Sequence, residues 1–270
     1  MAAPGSKGTV VLVHGLWMSP LCWEEWIPRL QSRGYEVLAP GWPGVDDRTV
    51  EDIRANPQPM ANKSIEEIVD AYAAVITALP KPPIVIGHSF GGLFTQILLS
   101  RGLGAAGVGI SPAQPAGILA LPFSTLKASF PVLSNPFDYK STVRISPSEF
   151  HFCFGNHLSL EESKKLYDRY AIPSVAHVLW QGALSLLHPK GATHVEFDKS
   201  NRAPLLLIAG TNDNVVPKSV VAKEFAAYQH GSGLVEYKEF EGRTHGIVNQ
   251  KGWEDVLDFA LDFVEKNVKN

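Results

Sequence analysis

The chain has 270 residues, 45% hydrophobic and 19% charged, with a formal net charge of −3. That length and composition build a full core and suit one α/β domain carrying an insertion. The near-neutral charge, with no basic stripe and no block of like charge, excludes a nucleic-acid binder or a protein held on an anionic membrane.

In chain order, "TVVLV" (9–13) is β-branched and apolar on both faces, as a strand covered on both sides of a parallel sheet must be. Trp23 to Arg33 has helical spacing and stops at Gly34, a good helix-ending residue. "YEVLAP" (35–40) predicts the next strand, and residues 45–63 read as a polar loop. Ser64 opens a helix, with Glu67 completing a capping box, that runs to about Leu79. "IVIG" (84–87) is a strand, "GGLFTQILLSRG" (91–102) a helix ended by Gly102, and "AAGVGIS" (105–111) a strand. "APLLLIAG" (203–210) and "GLVEYKEFEG" (233–242) are the last strands, with a helix over about 217–229 between them. "WEDVLDFALDFVEKNV" (253–268) is an amphipathic helix. This alternation predicts a doubly wound, mostly parallel sheet.

Residues 113–201 break the rhythm and are too long for a simple crossover. They are rich in proline and aromatics, with helical patches around 159–170 and 173–188. The expected division is a core of 1–112 and 202–270 with 113–201 inserted as a cap. Cys22 and Cys153 read as free thiols of a reducing compartment, and are too few for a cysteine zinc site. "MAAPGSKG" lacks the charged start and apolar core of a signal peptide. No run approaches the roughly 20 apolar residues of a membrane span. A cytoplasmic protein is expected.

The chemistry concentrates in "IVIGHSFGG" (84–92). A serine hydroxyl is a weak nucleophile until a base and an exposed, strained position activate it. A sharp strand-to-helix turn supplies that position, and Gly87 and Gly91 relieve its crowding. The turn sets Ser89 at a helix start, where the Phe90 N–H stabilises a developing oxyanion. Gly-x-Ser-x-Gly alone is a weak signal. The buried strand before it and the helix after it make it specific.

Four motifs in order resemble the α/β-hydrolases over nearly the whole chain. "VLVHGLW" (11–17) resembles their oxyanion turn and "GHSFGG" (87–92) their nucleophile elbow. "LLLIAGTNDNVVP" (205–217) resembles the acid-bearing loop and "GRTHG" (242–246) the histidine loop. The resemblance implies the α/β-hydrolase fold, with Ser89 as nucleophile, His245 as general base and Asp213 as its orienting acid. It also implies the backbone N–H groups of Leu16 and Phe90 as oxyanion donors. Rival histidines (His151, His157, His177, His188, His194) fall in the cap, and His230 ends a helix. "ISPAQPAG" (110–117), where some family members carry the acid, contains none. Asp46 and Asp47 lie in the wrong loop. His14 is expected to fix the oxyanion turn. Trp17, His88, Leu121 and Phe123 are candidate pocket residues.

The expected function is hydrolysis of small apolar carboxylic esters through an acyl-enzyme on Ser89, with no metal and no cofactor. The start resembles the compact plant esterase and hydroxynitrile lyase branch. As the resemblance implies, lyases there carry Thr where this chain has Gly15, and a Lys close to the catalytic His, which "HGIVNQ" lacks. A perhydrolase using the same triad is a further rival, as is a non-catalytic ligand-binding relative. Dehalogenases and epoxide hydrolases need an Asp nucleophile, which Ser89 is not.

Overall fold

A computed structural model describes residues 6–185, 187–188 and 190–268. The first strand, β1 (Thr9–Val13), is followed by α1 (Trp26–Ser32), β2 (Glu36–Leu38), α2 (Val50–Ala55) and α3 (Ile65–Thr77). Next come β3 (Ile84–His88), α4 (Phe90–Ser100) and β4 (Ala106–Ile110). Residues 111–203 then hold α5 (Phe123–Leu133), β5 (Thr142–Val143), α6 (Pro147–Cys153), α7 (Leu160–Tyr170), β6 (Ser174–Val175) and α8 (Ala176–Ser185). The chain returns through β7 (Leu205–Gly210), α9 (Lys218–Tyr228), β8 (Val235–Phe240) and α10 (Trp253–Asn267).

Six strands form one sheet in the order β2-β1-β3-β4-β7-β8, and every neighbouring pair is parallel. The central strands β3, β4 and β7 are buried along their whole length, which is why they read as continuous apolar runs. The edge strand β8 is half-buried and reads as mixed. The order places β1 and β3 side by side, with Val13 opposite Gly87. The turns leaving these two strands therefore meet at one end of the sheet.

The capping box of α3 forms: the Ser64 hydroxyl accepts the Glu67 N–H, and the Glu67 carboxylate accepts the Ser64 N–H. The loop expected over 45–63 contains α2, closed by its own capping box between Thr49 and Asp52. Its two turns are too short and polar for periodicity to announce. The apolar segment 117–133 ends in α5, whose Pro131 sits inside the helix and masks it as a breaker. The helical patch predicted over 173–188 divides into β6 and α8. Its position 186, like the first five residues of "MAAPGSKG", lies outside the described residues. Among the described residues, no helix is long and apolar enough to cross a membrane. Cys22 and Cys153 are buried and unbridged.

One core carboxyl has a consequence for stability. Glu224 on α9 is fully buried. Its Oε2 accepts the Gln96 amide at 3.1 Å, and Tyr228 O–H donates to Gln96 Oε1 at 2.9 Å. Burial pushes the Glu224 carboxyl well above the usual carboxylate range. A raised folded-state pKa means stability that is full below the unfolded value and is lost as pH rises above it. Glu224→Gln removes that titration. Thermal unfolding is expected to show its Tm gaining on the parent protein steadily from about pH 5 upward. A difference independent of pH would contradict this.

Candidate active site

Ser89 joins β3 to α4 with φ 58° and ψ −123°, a left-handed φ that a non-glycine residue holds only under strain. The surroundings impose it. The Ser89 N–H donates to Ile110 O at 2.9 Å, and its carbonyl accepts Gly92 and Ala113 N–H at 2.9 and 3.0 Å. A Cβ on Gly87 would collide with the Gly91 carbonyl, and one on Gly91 with the Val13 carbonyl. The glycines two before and two after the serine are thus required by close backbone packing. Phe90 begins α4, so its N–H has no acceptor within the helix.

The turn after β1 lies against this elbow. A Cβ on Gly15 would stand 2.7 Å from Ser89 Cβ, 2.9 Å from His88 O and 3.3 Å from Ser89 Oγ. Gly15 is therefore in contact with the serine, with no room for a threonine unless the elbow shifts. His14 locks the turn. Its Nδ1–H donates to Gly15 O at 3.0 Å, and its Nε2 accepts Trp42 N–H at 3.2 Å. That pair of bonds fixes the neutral tautomer, and burial lowers the His14 pKa to about 4. His14 also stacks on Trp42 at 5.0 Å.

The loops leaving β7 and β8 bring the acid and the histidine together. His245 Nδ1–H donates to Asp213 Oδ2 at 2.8 Å, and both side chains are buried. Asp213 Oδ1 accepts the Val215 and Val216 N–H groups, each at 2.8 Å. Each carboxylate oxygen thus has its own assignment: one grips its loop, the other grips the ring. His245 Nε2 is buried with no hydrogen-bond partner. With Nδ1 carrying the proton, Nε2 presents its lone pair. No hydrogen bond joins it to Ser89 Oγ, a bond that free enzymes often leave long until substrate binds. Ser89 and His245 are linked through His88, whose Nε2–H donates to His245 O at 2.8 Å with ring centroids 4.7 Å apart. Burial, and then the neighbouring His245, hold the His88 pKa well below its ordinary value. His88 does not line the cleft. It is a neutral strut between the elbow and the histidine loop, which corrects its reading as a pocket residue.

Ser89, Leu16, Trp17 and Phe90 share one wall of a cleft of about 810 Å³, including its open mouth. The far walls come from α5 and α8, with Leu126, Ala128, Ser129 and Leu133 on one and Leu179, Gly182 and Ala183 on the other. Ala113, Leu121, Val215 and Val216 add further apolar surface, and Gln114 and Thr125 add polar groups. Trp17 holds a left-handed φ of 61°, and its carbonyl accepts the Ile172 N–H at 3.0 Å. Phe123 is 82% exposed and does not line the cleft, which corrects its reading as a pocket residue. It occupies the first position of α5 and points to solvent. Gly182, Ala183 and Leu179 carry no local signal in the sequence, because only the docking of α8 over the elbow makes them cleft residues. Among the described residues, no group of three or more His, Cys, Asp or Glu could hold a metal ion.

Residues 10–259 match the sequence profile of the alpha/beta hydrolase family. The chain belongs to that family. Solved structures of this hydrolase fold superpose over nearly its whole length. A monoacylglycerol lipase from Paleococcus ferrophilus is 20% identical, with TM-score 0.66 and coverage of 97% of this chain and 96% of that one. An extracellular alpha/beta-hydrolase from a Paenibacillus species is 19% identical, with TM-score 0.67 and coverage of 97% and 99%. A pyrethroid hydrolase from Sphingobium faniae JZ-2 is 17% identical, with TM-score 0.64 and coverage of 96% and 97%. No curated protein sequence matches the chain.

Proposed function

We propose that this hydrolase is a serine carboxylic ester hydrolase for small apolar esters, with Ser89 as nucleophile, His245 as base and Asp213 as orienting acid. The observation that carries the reading is the 2.8 Å bond from His245 Nδ1–H to Asp213, which leaves Nε2 unpartnered. A base needs that tautomer. In this reading Ser89 Oγ attacks the ester carbonyl while His245 Nε2 takes its proton. The Leu16 and Phe90 N–H groups receive the oxyanion. Collapse expels the alcohol, protonated by His245, and leaves an acyl-Ser89. A water deprotonated by His245 then releases the acid. The monoacylglycerol lipase and pyrethroid hydrolase among the similar structures are consistent with ester chemistry. So is Gly15 where the resemblance gives the lyases a threonine.

Residues 113–201 act as a cap in this reading and set the substrate's apolar character. Leu121 and Leu126 line the cleft yet are 56% and 47% exposed at its mouth. Each acyl methylene buried there is worth about 0.8 kcal/mol, roughly fourfold in kcat/KM. A series of aryl esters is expected to show kcat/KM rising from acetyl to hexanoyl. Leu121→Asp and Leu126→Asp remove the rise, and Phe123→Asp, off the cleft, keeps it. A flat series in the parent protein, or the same loss in all three variants, would overturn the assignment of the acyl site.

A further inference from the structure

We propose that Phe152–His157, the end of α6 and the turn that leads from it towards α7, is a positioning element for the acid–base pair. It acts through Phe154 and Asn156 and is received by Thr244. The proposal rests on the triad reading above.

The contacts of this turn fall on both sides of both residues. On the acid side, the Asn156 amide donates to Asn212 O at 3.0 Å and the Asn214 amide donates to Phe152 O at 3.0 Å. These two bonds run in opposite directions and bracket Asp213. On the base side, the Thr244 hydroxyl has Phe154 O as its nearest acceptor at 3.1 Å, with Gln250 Oε1 and His157 Nδ1 each at 3.3 Å, and it accepts the Gly246 N–H at 3.2 Å. One hydroxyl thus ties the residues flanking His245 to a single carbonyl of the turn. The Phe154 ring packs against the His245 ring at 5.3 Å, and the His88 ring from β3 packs against it at 4.7 Å.

The fit is close enough to constrain the sequence. A Cβ on Gly246 would lie 2.5 Å from Phe154 O. The last glycine of "GRTHG" is therefore required by the turn, not by its own φ. None of residues 152–157 lines the cleft, so the turn does not touch bound substrate there. Its influence must pass through Asp213 and His245. Those residues stand on loops from two different strands, which also join through their own 2.8 Å bond, through Asn212 N–H to Arg243 O at 2.9 Å and through Gly242 N–H to Thr211 Oγ1 at 2.8 Å. The turn clamps the pair to each other. Placement matters on this scale, since about 1 Å of misplacement costs on the order of 10²-fold in rate.

The test compares Asn156→Ala, Thr244→Val and Thr244→Ser with the parent protein. The readouts are kcat and KM on a soluble aryl ester, the rate of labelling by a serine-directed phosphonate, and Tm. Asn156→Ala and Thr244→Val are expected to lower kcat and the labelling rate together by about 10- to 100-fold, with KM within about twofold. Thr244→Ser keeps the hydroxyl and is expected to stay within about threefold of the parent rate. Parent-like kcat in folded Asn156→Ala and Thr244→Val, or a change confined to KM, would overturn the proposal. Asn156 is only partly buried, so Asn156→Ala decides alone if Thr244→Val fails to fold. A parent protein that is never labelled would overturn the triad reading itself. A labelled parent with indifferent variants overturns only the role of the turn.

Discussion

Ser89→Ala is expected to fold as the parent does and to hydrolyse esters at least about 10³-fold more slowly. The Ser89 side chain makes no helix-capping hydrogen bond, so removing Oγ takes nothing from the start of α4. The bonds that hold the elbow are made by its backbone, to Ile110, Gly92 and Ala113, and alanine keeps them. What alanine removes is Oγ, the atom that forms the acyl bond in the proposed mechanism. The measurement is steady-state turnover of an aryl ester alongside a thermal melt. An unchanged melt with more than about a tenth of the parent rate would assign the chemistry to another group.

Asp213→Asn is expected to cost about 10³- to 10⁴-fold in kcat with little change in KM. The reason lies in the division of labour between the two carboxylate oxygens. Oδ1 accepts two backbone N–H groups and Oδ2 accepts the His245 Nδ1–H. An asparagine keeps its carbonyl oxygen on the two backbone donors, since its NH₂ cannot face them. The NH₂ then faces His245 Nδ1 and draws the ring into the opposite tautomer. Nε2 becomes protonated and cannot accept the Ser89 proton. Kinetics with a melt as control check this. A folded Asp213→Asn protein within about tenfold of the parent kcat would exclude Asp213 as the orienting acid.

Much of this arrangement is legible in the chain because its signals are local. The buried strands β1, β3, β4 and β7 are apolar runs closed by glycine or turn residues. Ser89 and its two glycines sit within five positions of one another. Asp213 and His245 follow the last two parallel strands and come within hydrogen-bonding distance because those strands are neighbours. Where the local signal is weak, sequence and structure part. Pro131 conceals α5, and the polar α2 resembles a loop. Phe123 is apolar and close to the cleft in sequence, which is no guarantee that it faces in. Helix phase turns it outward, while Leu126, Ser129 and Leu133 line the cleft.

The remaining parts are long-range. His88 supports His245 from 157 positions away, and Phe154 meets Thr244 from 90 positions away. No periodicity records such a pairing. The first follows from the placing of β3 near the loop after β8, and the second from the docking of the 113–201 segment onto that loop. Trp17 carries its left-handed backbone for reasons equally invisible in "HGLWM", since Ile172 holds its carbonyl.

The central claim is that Ser89 is the activated nucleophile of this cleft. It is tested most directly by treating the parent protein and Ser89→Ala with an aryl phosphonate, then reading intact mass and the modified peptide. The account predicts one adduct on the parent protein, located on Ser89, with loss of ester hydrolysis in step with labelling and no adduct on Ser89→Ala. A folded parent protein that hydrolyses esters while Ser89 stays unmodified, or an adduct on another residue that abolishes activity, would contradict it.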